Sequence, residues 1–199
     1  MAATLLLIRH AAHIHLNQRL SGRMAGVPLS EEGRAQAAGL GRYLSRDGIA
    51  IVEASPLDRT RETAEAVAEA AQAGEVRLAA ALIEIDMGDW TGRAIHGFGD
   101  DPAWRAWNEQ RGTARIPGGE SMAEAQARIV GHLQQVAAEH DGRTVALVSH
   151  SDMIRAALAW ALGLELDNLL RFDIDPASVS RMVVGSWGAR VLSLNERVH

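Results

Sequence analysis

Two short apolar runs, each followed closely by a histidine, constrain the fold of this chain more than any other feature. Residues 5–8 lead into Arg9 and His10, and residues 145–148 lead, after one serine, into His150. Continuous apolar runs of this length are typical of strands covered on both faces, as in parallel sheets. Because ligands bind beyond the carboxyl ends of the strands in open α/β sheets, both histidines are predicted to lie in one site.

Strand and helix patterns alternate along the rest of the chain. The 199 residues suffice for one well-filled domain. The alternation predicts an α/β fold with a doubly wound, mostly parallel sheet flanked by helices, in a single domain over residues 1–199. Further strands are predicted at 49–54, 76–79, 179–184 and 189–194, and helices at about 31–46, 56–71, 122–136 and 152–162.

Capping residues mark where several helices are predicted to begin. Ser30 has the side chain of an N-cap residue. Ser55 and Pro56 are predicted to be a cap followed by a proline at the first helical position. Ser121 and Glu124 have the spacing of a capping box.

The composition excludes several classes of function. A formal net charge of −5 provides no basic surface for nucleic acid, and the absence of cysteine excludes disulfides and cysteine nucleophiles. No stretch approaches the ~20 apolar residues of a membrane helix, and the first residues lack a signal-peptide pattern. We therefore expect a cytoplasmic protein without nucleic-acid or membrane partners. All 20 basic residues are arginine, so an arginine is weaker evidence for anion binding here than elsewhere.

A glycine-rich stretch over 82–119 interrupts the alternation and holds three of the five tryptophans. Long irregular segments in compact domains are often lids or binding loops, so a lid-like insertion is predicted at about 86–119. Packing is the expected role of most of its tryptophans. The candidates for lining a pocket wall are Trp90, Arg93, His96, Trp104, Arg105, Trp107, Arg111 and Arg115.

Arg9 and His10 combine two groups that phosphate chemistry requires. A neutral imidazole is a competent nucleophile toward phosphorus, and nearby positive charge helps to keep it neutral. The planar fork of arginine matches phosphate oxygens. The alternative is a structural histidine at the end of a strand.

Arg59 follows the second predicted strand and lies in the first turn of a predicted helix. Helix N-termini attract anions through free N–H groups and the helix dipole. The alternative is a surface arginine paired with Glu62 or Glu65. The position after a strand favours an anion site for Arg59, whereas surface pairing is the better interpretation for Arg61.

Glu84 is a candidate general acid. It lies between Ile83 and Ile85, which favours burial, and a partly buried glutamate can supply the proton that the leaving oxygen of a phosphate ester needs. Asp86 and Asp89 are rivals, and a solvated acidic loop is the alternative.

The other histidines differ in their expected roles. His150 can stabilise a transferring phosphoryl group through charge or a hydrogen bond. His13 and His15, together with His10, resemble a metal cluster, but they alternate in a loop with no carboxylate close by, so no metal is predicted. The remaining histidines are predicted to lie at the surface: His96, His132, His140 and His199.

Six segments combine these candidates in one order along the chain. They are Leu7-Ile8-Arg9-His10, Val27-Pro28-Leu29-Ser30-Glu31-Glu32-Gly33, Ser55-Pro56-Leu57-Asp58-Arg59-Thr60-Arg61-Glu62-Thr63-Ala64, Glu84 with Gly88-Asp89-Trp90-Thr91-Gly92, Pro117-Gly118-Gly119-Glu120-Ser121 with Arg128, and Val148-Ser149-His150. Together they resemble the histidine phosphatase superfamily, also called the phosphoglycerate-mutase-like family, over nearly the whole chain. The resemblance favours a phosphatase-type member.

The resemblance implies a role for each matching residue. His10 would attack phosphorus and become phosphohistidine. Arg9, Arg59 and His150 would form the positive pocket that holds the phosphoryl group. Glu84 would protonate the leaving group and then activate water. The family needs no metal or other cofactor, and its doubly wound α/β fold agrees with the one predicted above.

Four positions depart from the family pattern. Ala11 and Ser151 stand where a glycine usually follows each of the two histidines, and glycine permits unusual backbone angles and close approach to a ligand. His13 stands where a small hydroxyl residue is expected. Asn17, the candidate for the family's phosphate-binding asparagine, comes one residue late. The charged positions are all present, so we expect these changes to narrow the pocket or to slow the reaction that takes place in it.

The sequence is compatible with three functions. The favoured one is a phosphomonoesterase that hydrolyses a small phosphorylated metabolite through phosphohistidine. A mutase of the same fold is an alternative, although such mutases tend to be longer and to cover the pocket with extra loops. The third is a non-catalytic module that binds a phosphate ester, with Ala11 and Ser151 marking lost catalysis. Residues 164–172 are expected to pack either inside the chain or against a second copy, and the second arrangement would form a homodimer.

Overall fold

One six-stranded sheet forms the centre of the computed structural model, which describes residues 1–198. Its strands are β1 (Ala2–Arg9), β2 (Ile49–Ala54), β3 (Arg77–Leu78), β4 (Thr144–Ser149), β5 (Val179–Gly185) and β6 (Gly188–Glu196). Their spatial order is β3-β2-β4-β1-β5-β6. The strands β1 to β4 pair in parallel, and β5 and β6 add two antiparallel pairings, which confirms the predicted mostly parallel sheet.

Helices cover both faces of this sheet. They are α1 (Glu31–Leu44), α2 (Asp58–Ala71), α3 (Pro102–Glu109), α4 (Met122–Glu139) and α5 (Ser151–Leu162), with short 3₁₀ segments at Ala80–Leu82, Gly88–Trp90, Ile95–Gly97 and Leu166–Arg171. The pairs α1–α2 and α4–α5 pack on opposite faces, as a doubly wound fold requires. Within residues 1–198, no helix is long and apolar enough to cross a membrane.

The alternation of side chains along β1 explains its continuous apolar run. Leu5 and Leu7 pack into the core beneath α4 and α5, whereas Leu6 and Ile8 pack into the core beneath α1 and α2. Successive side chains of a strand point to opposite faces, so a strand covered on both sides is apolar at every position. The strand therefore holds its carboxyl end, and the residues after it, between two packed layers.

One of the predicted helix caps is confirmed and another is wrong. Ser30 Oγ accepts the Gly33 N–H at 3.0 Å and caps α1, as predicted. The predicted cap at Ser55 is wrong, because α2 begins at Asp58 and Leu57 occupies the cap position without a side-chain hydrogen bond.

The capping box of α4 leads to a stability prediction. Ser121 Oγ accepts the Glu124 N–H at 3.3 Å, and the Glu124 carboxylate accepts the Ser121 N–H at 2.9 Å. We expect Ser121→Ala to lower the free energy of unfolding by about 1 kcal/mol and the melting temperature by about 2–4 °C. Thermal unfolding by circular dichroism, with Ser186→Ala in the exposed β5–β6 turn as the control, checks it. A melting temperature equal to the wild type would contradict a role for this cap.

The irregular segment over 86–119 packs against the α4–α5 side of the core. The Trp90 ring lies 5.3 Å from the Trp104 ring and 6.3 Å from the Trp107 ring between centroids, and Phe98 stacks on Trp104 at 4.2 Å. Trp90 and Trp107 are each only 1% exposed. These tryptophans therefore serve packing, while movement of the segment as a lid stays a prediction.

The histidines predicted at the surface differ in burial. His96 is exposed, and His140 is partly buried. The side chain of His132 is 14% exposed, and its Nε2 lies 2.7 Å from Glu53 Oε2, so its surface assignment is wrong. His199 lies outside the described residues.

Candidate active site

Three neighbouring strands end at the same edge of the sheet and bring polar residues together there. Strand β1 aligns Arg9 with Ser149 of β4, and β2 aligns with β4 on its other side. His10, His150 and Ser55 are the first residues after these strands. The His10 and His150 rings are 5.2 Å apart between centroids, so the structure brings together the two histidines that the sequence separates by 140 positions.

The backbone next to His10 fixes which nitrogen carries its proton. His10 is 3% exposed, and its Nδ1 lies 2.8 Å from the Ala11 carbonyl oxygen. Because a carbonyl only accepts, Nδ1 carries the hydrogen, and Nε2 keeps a free lone pair. Burial first, and then the charges of Arg59 and Arg9, hold the pKa of His10 well below its usual range. The ring is therefore neutral at pH 7, which is the nucleophilic form.

Alanine fits at position 11 without backbone strain. Ala11 does not adopt a left-handed conformation, and its side chain is fully buried in the core. Its N–H donates to Thr63 Oγ1 at 3.0 Å, and the same hydroxyl donates to the Arg59 carbonyl at 2.7 Å. These bonds tie the loop after His10 to the helix that carries Arg59.

The first turn of α1 packs directly on the same loop. The Ser30 N–H donates to the Ala12 carbonyl at 3.0 Å, and Ser30 Oγ lies 3.2 Å from that oxygen. A Cβ on Gly33 would lie 1.8 Å from the Ala12 oxygen, so only glycine permits this approach. This contact accounts for the glycine of the Ser30–Gly33 segment.

Arg59 provides unpartnered donors inside the site. It is 1% exposed, and its Nη2 donates to the Gly22 carbonyl at 2.8 Å. Its Nε and Nη1 are buried without a hydrogen-bond partner in residues 1–198, and so is Nε of Arg9. A buried unsatisfied donor costs about 1–3 kcal/mol, and more when charged. An anion between the two guanidinium groups would remove that cost.

His150 is fully buried behind these groups. Its Nε2 lies 2.9 Å from Ser55 Oγ, and its Nδ1 lies 3.4 Å from Arg59 Nη2 and 3.8 Å from Glu84 Oε2. Since a guanidinium only donates, Nδ1 accepts in the neutral ring, and Nε2 carries the hydrogen. Burial, followed by the charge of Arg59, holds the pKa of His150 well below its usual range.

Glu84 has the protonation behaviour of a general acid at neutral pH. Its side chain is 14% exposed, and Oε1 accepts the Ile85 N–H at 2.9 Å. Burial, followed by the negative charge of Asp152, raises the pKa of Glu84 to about 7, while Arg59 opposes the shift. A carboxyl group with this pKa holds its proton for much of the time near pH 7 and can also act as a base.

The segment that carries Glu84 is braced from the side of α4. Arg128 Nη1 donates to the carbonyl oxygens of Ala81 and Ile83 at 2.8 and 2.9 Å. Arg128 Nη2 lies 2.9 Å from Glu120 Oε2, which pairs the two side chains. Arg128 and Glu120 belong to the motif segments, but the sequence assigned them no role. Arg128 thus holds the backbone just before Glu84, and Glu120 holds it just after, since Glu120 Oε2 accepts the Asp86 N–H at 3.0 Å.

Arg23 is a second arginine that braces the same segment. Its Nε donates to the Glu84 carbonyl at 2.9 Å, and its Nη2 lies 2.8 Å from Glu120 Oε2. Asp86, a rival of Glu84, lies 3.4 Å from Arg23 Nη1 and accepts the Gly88 N–H at 3.0 Å. Because these partners engage its carboxylate, Asp86 is the weaker candidate for a proton donor.

A cavity of 180 Å³ opens over His10. The residues that line it are Arg9, His10, His13, Leu16, Asn17, Arg19, Leu20, Ser21, Gly22, Arg59, Glu84, Met87, Ile95, Ser151 and Asp152. Asn17 is exposed and left-handed at φ 60°, and it reaches the cavity as a lining residue. Arg9, His10, Arg59 and Glu84 therefore line this cavity, and His150 contacts Arg59 and Glu84 just beneath it.

The residues that were predicted to line the pocket wall are wrong. None of its eight candidates is among the lining residues of the cavity, to which the segment over 86–119 contributes Met87 and Ile95. The tryptophans are occupied in the core, and Arg111 lies over the Trp107 ring and 3.1 Å from Asp152. The segment 16–22 supplies much of the wall instead.

His13 is a cavity residue to which the sequence analysis assigned no role. It is 8% exposed, lines the cavity, and has its ring centroid 5.2 Å from that of His10. The His15 ring is 6.5 Å further along, so the three form a row. Within residues 1–198, no three histidine or carboxylate side chains are grouped to hold a metal ion. The spacing in the loop gave no sign of the contact, because the chain folds back through a bridge between His13 and Leu29.

Comparison with known proteins identifies one family over the whole chain. A profile of the histidine phosphatase superfamily (branch 1) matches residues 5–197. Phosphoserine phosphatase 1 of Hydrogenobacter thermophilus is 35% identical over 202 residues, which cover 98% of this chain and 93% of the relative. The probable phosphoglycerate mutase GpmB of Salmonella paratyphi B is 31% identical over 181 residues, which cover 88% and 82% of the two chains.

Solved structures agree with the sequence relatives. YhfR of Bacillus stearothermophilus superposes with a TM-score of 0.91 at 27% identity, covering 98% of this chain and 97% of its own. The chain spans 49% of the length of mycobacterial relatives that it also matches. The family profile, the phosphatase and mutase relatives and the shared fold all extend over the residues that build the site, and the chain belongs to the histidine phosphatase superfamily.

Proposed function

We propose that the protein is a metal-independent phosphomonoesterase that transfers the phosphoryl group of a small phosphorylated metabolite first to His10 and then to water. One observation carries this proposal. A neutral imidazole with a free Nε2 lies beside two buried guanidinium groups that have unpartnered N–H donors. This combination supplies a nucleophile together with a place for the negative charge of a phosphoryl group.

In the first step, His10 Nε2 attacks phosphorus and forms an N–P bond. The P–O bond to the leaving group breaks, and Glu84 transfers its proton to the departing oxygen. Arg9, Arg59 and His150 bind the phosphoryl oxygens, whose charge the transition state spreads over all three. A bound dianion favours the charged form of His150, because opposite charge raises an imidazole pKa.

In the second step, the Glu84 carboxylate removes a proton from water. The oxygen of that water attacks phosphorus, the N–P bond breaks, and inorganic phosphate leaves. Glu84 is then protonated and His10 is neutral, so both groups return to their starting states. The pKa of Glu84, raised to about 7, suits a group that acts as an acid and then as a base.

The cavity favours a substrate with a small leaving group. Its volume is 180 Å³, and its outer wall combines apolar Leu16 and Ile95 with polar Asn17 and Arg19. We propose Asn17 as a further phosphate ligand on this basis. Phosphoserine heads a substrate panel, since a phosphoserine phosphatase is 35% identical over nearly the whole chain.

A mutase of the same fold is the second candidate, because a probable phosphoglycerate mutase is 31% identical over 181 residues. A mutase returns the phosphoryl group to a second hydroxyl and depends on a bisphosphate for activation. Net release of phosphate from a monophosphate, without added bisphosphate, separates the two activities. A binding module is less well supported, since Ala11 is accommodated without a left-handed backbone.

We expect wild-type protein to release phosphate from p-nitrophenyl phosphate and from phosphoserine at the same rate with and without a chelator. Brief incubation with a ³²P-labelled substrate is expected to label the protein with an acid-labile, base-stable phosphoryl group, as an N–P bond requires. Loss of activity on chelation would contradict metal independence. Steady turnover without any labelled protein under rapid quenching would contradict the phosphohistidine pathway.

A further inference from the structure

We propose that His13 is a substrate-binding residue that donates a hydrogen bond from Nε2 to an oxygen of the phosphoryl group at His10. This inference rests on the proposed function, since it assigns a new ligand to the same phosphoryl site. His13 stands where the family pattern has a small hydroxyl residue, so it is a feature of this chain.

The backbone gives His10 and His13 opposite tautomers. His10 Nδ1 faces the Ala11 carbonyl at 2.8 Å and carries a hydrogen, which leaves Nε2 unprotonated. His13 Nδ1 accepts the His15 N–H at 3.2 Å, so its hydrogen is on Nε2. Two neighbouring imidazoles are therefore set up for different tasks, one as a nucleophile and the other as a donor.

His13 remains a neutral donor because of its surroundings. Burial, followed by the charges of Arg59 and Arg9, lowers the pKa of His13 to about 4. The same arginines are the proposed phosphoryl ligands, so His13 lies within reach of the charges that surround the phosphoryl group. A neutral N–H adds a hydrogen bond there without adding a third positive charge.

The Nε2–H of His13 has no protein acceptor. Within residues 1–198 its only side-chain hydrogen bond is the one at Nδ1, although the residue is 8% exposed and lines the cavity. Because His13 lines the cavity and this N–H has no protein acceptor, the donor is available to a ligand that enters the cavity. Its ring centroid is 5.2 Å from that of His10, as is the ring of His150. A phosphoryl group at His10 would thus lie close to the imidazoles of both His13 and His150.

Two amide variants separate binding from structure. His13→Asn places a carbonyl oxygen near the position of Nδ1, where it can still accept the His15 N–H, but it has no donor at the position of Nε2. His13→Gln places an amide N–H near the position of Nε2 instead. A donor role predicts that glutamine is the better replacement, whereas a purely structural role predicts that asparagine is.

The experiment measures the dissociation constant of orthovanadate and kcat/KM for p-nitrophenyl phosphate. We expect His13→Asn to weaken both about 10- to 100-fold, as for the loss of one hydrogen bond to a charged group, and His13→Gln to stay within about threefold of the wild type. His96→Asn, at an exposed histidine outside the cavity, is the matched control. Melting temperatures show whether each variant remains folded.

The outcomes separate this inference from the proposed function. Equal vanadate affinity for His13→Asn and the wild type, or a better result for asparagine than for glutamine, would overturn the role of His13 alone. Wild-type protein that binds vanadate without turnover would refute hydrolysis, and the two amide variants would still decide the role of His13. A wild type that binds no vanadate at millimolar concentration would overturn both.

Discussion

Replacing His10 by alanine is expected to reduce kcat/KM for every substrate by at least about 10⁴-fold. Without Nε2 there is no N–P bond, and the remaining charges have no covalent intermediate to stabilise. Removal of a nucleophile in a well-studied serine protease lowers kcat by about 10⁶-fold, so the expected loss is conservative. Phosphate release and ³²P labelling of the protein are both expected to vanish.

The same variant tests whether the phosphoryl pocket is independent of the nucleophile. Arg59 and Arg9 keep their unpartnered donors when His10 is shortened, so vanadate is expected still to bind. The exposed His96, changed to alanine, is the matched control and is expected to be fully active. Residual turnover within tenfold of the wild type would contradict the role of His10, and continued ³²P labelling of the variant would then indicate a different nucleophile.

The parts of the site that lie at strand ends were predictable from the sequence. Apolar runs fix the positions of β1 and β4, and the parallel register of the sheet then places His10 beside His150. This inference needs only the local pattern and the geometry shared by all open α/β sheets. The mostly parallel sheet and the two helical layers follow from the same alternation.

Local capping patterns were less reliable, because long-range contacts override them. The hydroxyl of Ser55 lies 2.9 Å from His150 Nε2, a partner 95 residues away, and so is not used as a cap. The Thr60 hydroxyl contacts the Ser55 carbonyl at 2.9 Å, which holds the strand-to-helix turn in place and lets α2 begin at Asp58. The sequence shows the serine and the proline but not the histidine that competes for the serine.

The composition of the pocket wall was not predictable from the sequence for a different reason. Tryptophans fit either a binding loop or a core, and burial of their large apolar surface decides the matter in favour of the core. Trp90 and Trp107 are accordingly 1% exposed. The role of His13 depends on a chain reversal that brings it to Leu29, which no periodicity indicates.

Changing Glu84 to glutamine is expected to affect substrates according to their leaving groups. For an alkyl phosphate such as phosphoserine, whose departing oxygen needs a proton, we expect kcat/KM to fall about 10²- to 10⁴-fold. For p-nitrophenyl phosphate, whose phenolate leaves without a proton, the loss in kcat/KM is expected to be less than about tenfold. The value of kcat falls for both, because hydrolysis of the phosphoenzyme also uses Glu84.

The pH dependence of the alkyl substrate tests the same assignment. Burial raises the pKa of Glu84 to about 7, and the acid form is the active one in the first step. The value of kcat/KM is therefore expected to fall as the pH rises through about 7, and to be flat there in Glu84→Gln. Titration of His10 does not change kcat/KM near pH 7, because the pKa of His10 lies well below its usual range.

Asp86→Asn provides the matched control, because it removes the same charge two residues away from a carboxylate that Arg23 already engages. An asparagine oxygen can still accept the Gly88 N–H, so we expect little change in kcat/KM for either substrate. Equal losses for alkyl and aryl substrates in Glu84→Gln would mean that Glu84 acts through charge or position and donates no proton. Loss of the alkaline limb in Asp86→Asn, with the limb intact in Glu84→Gln, would transfer the role of general acid to Asp86.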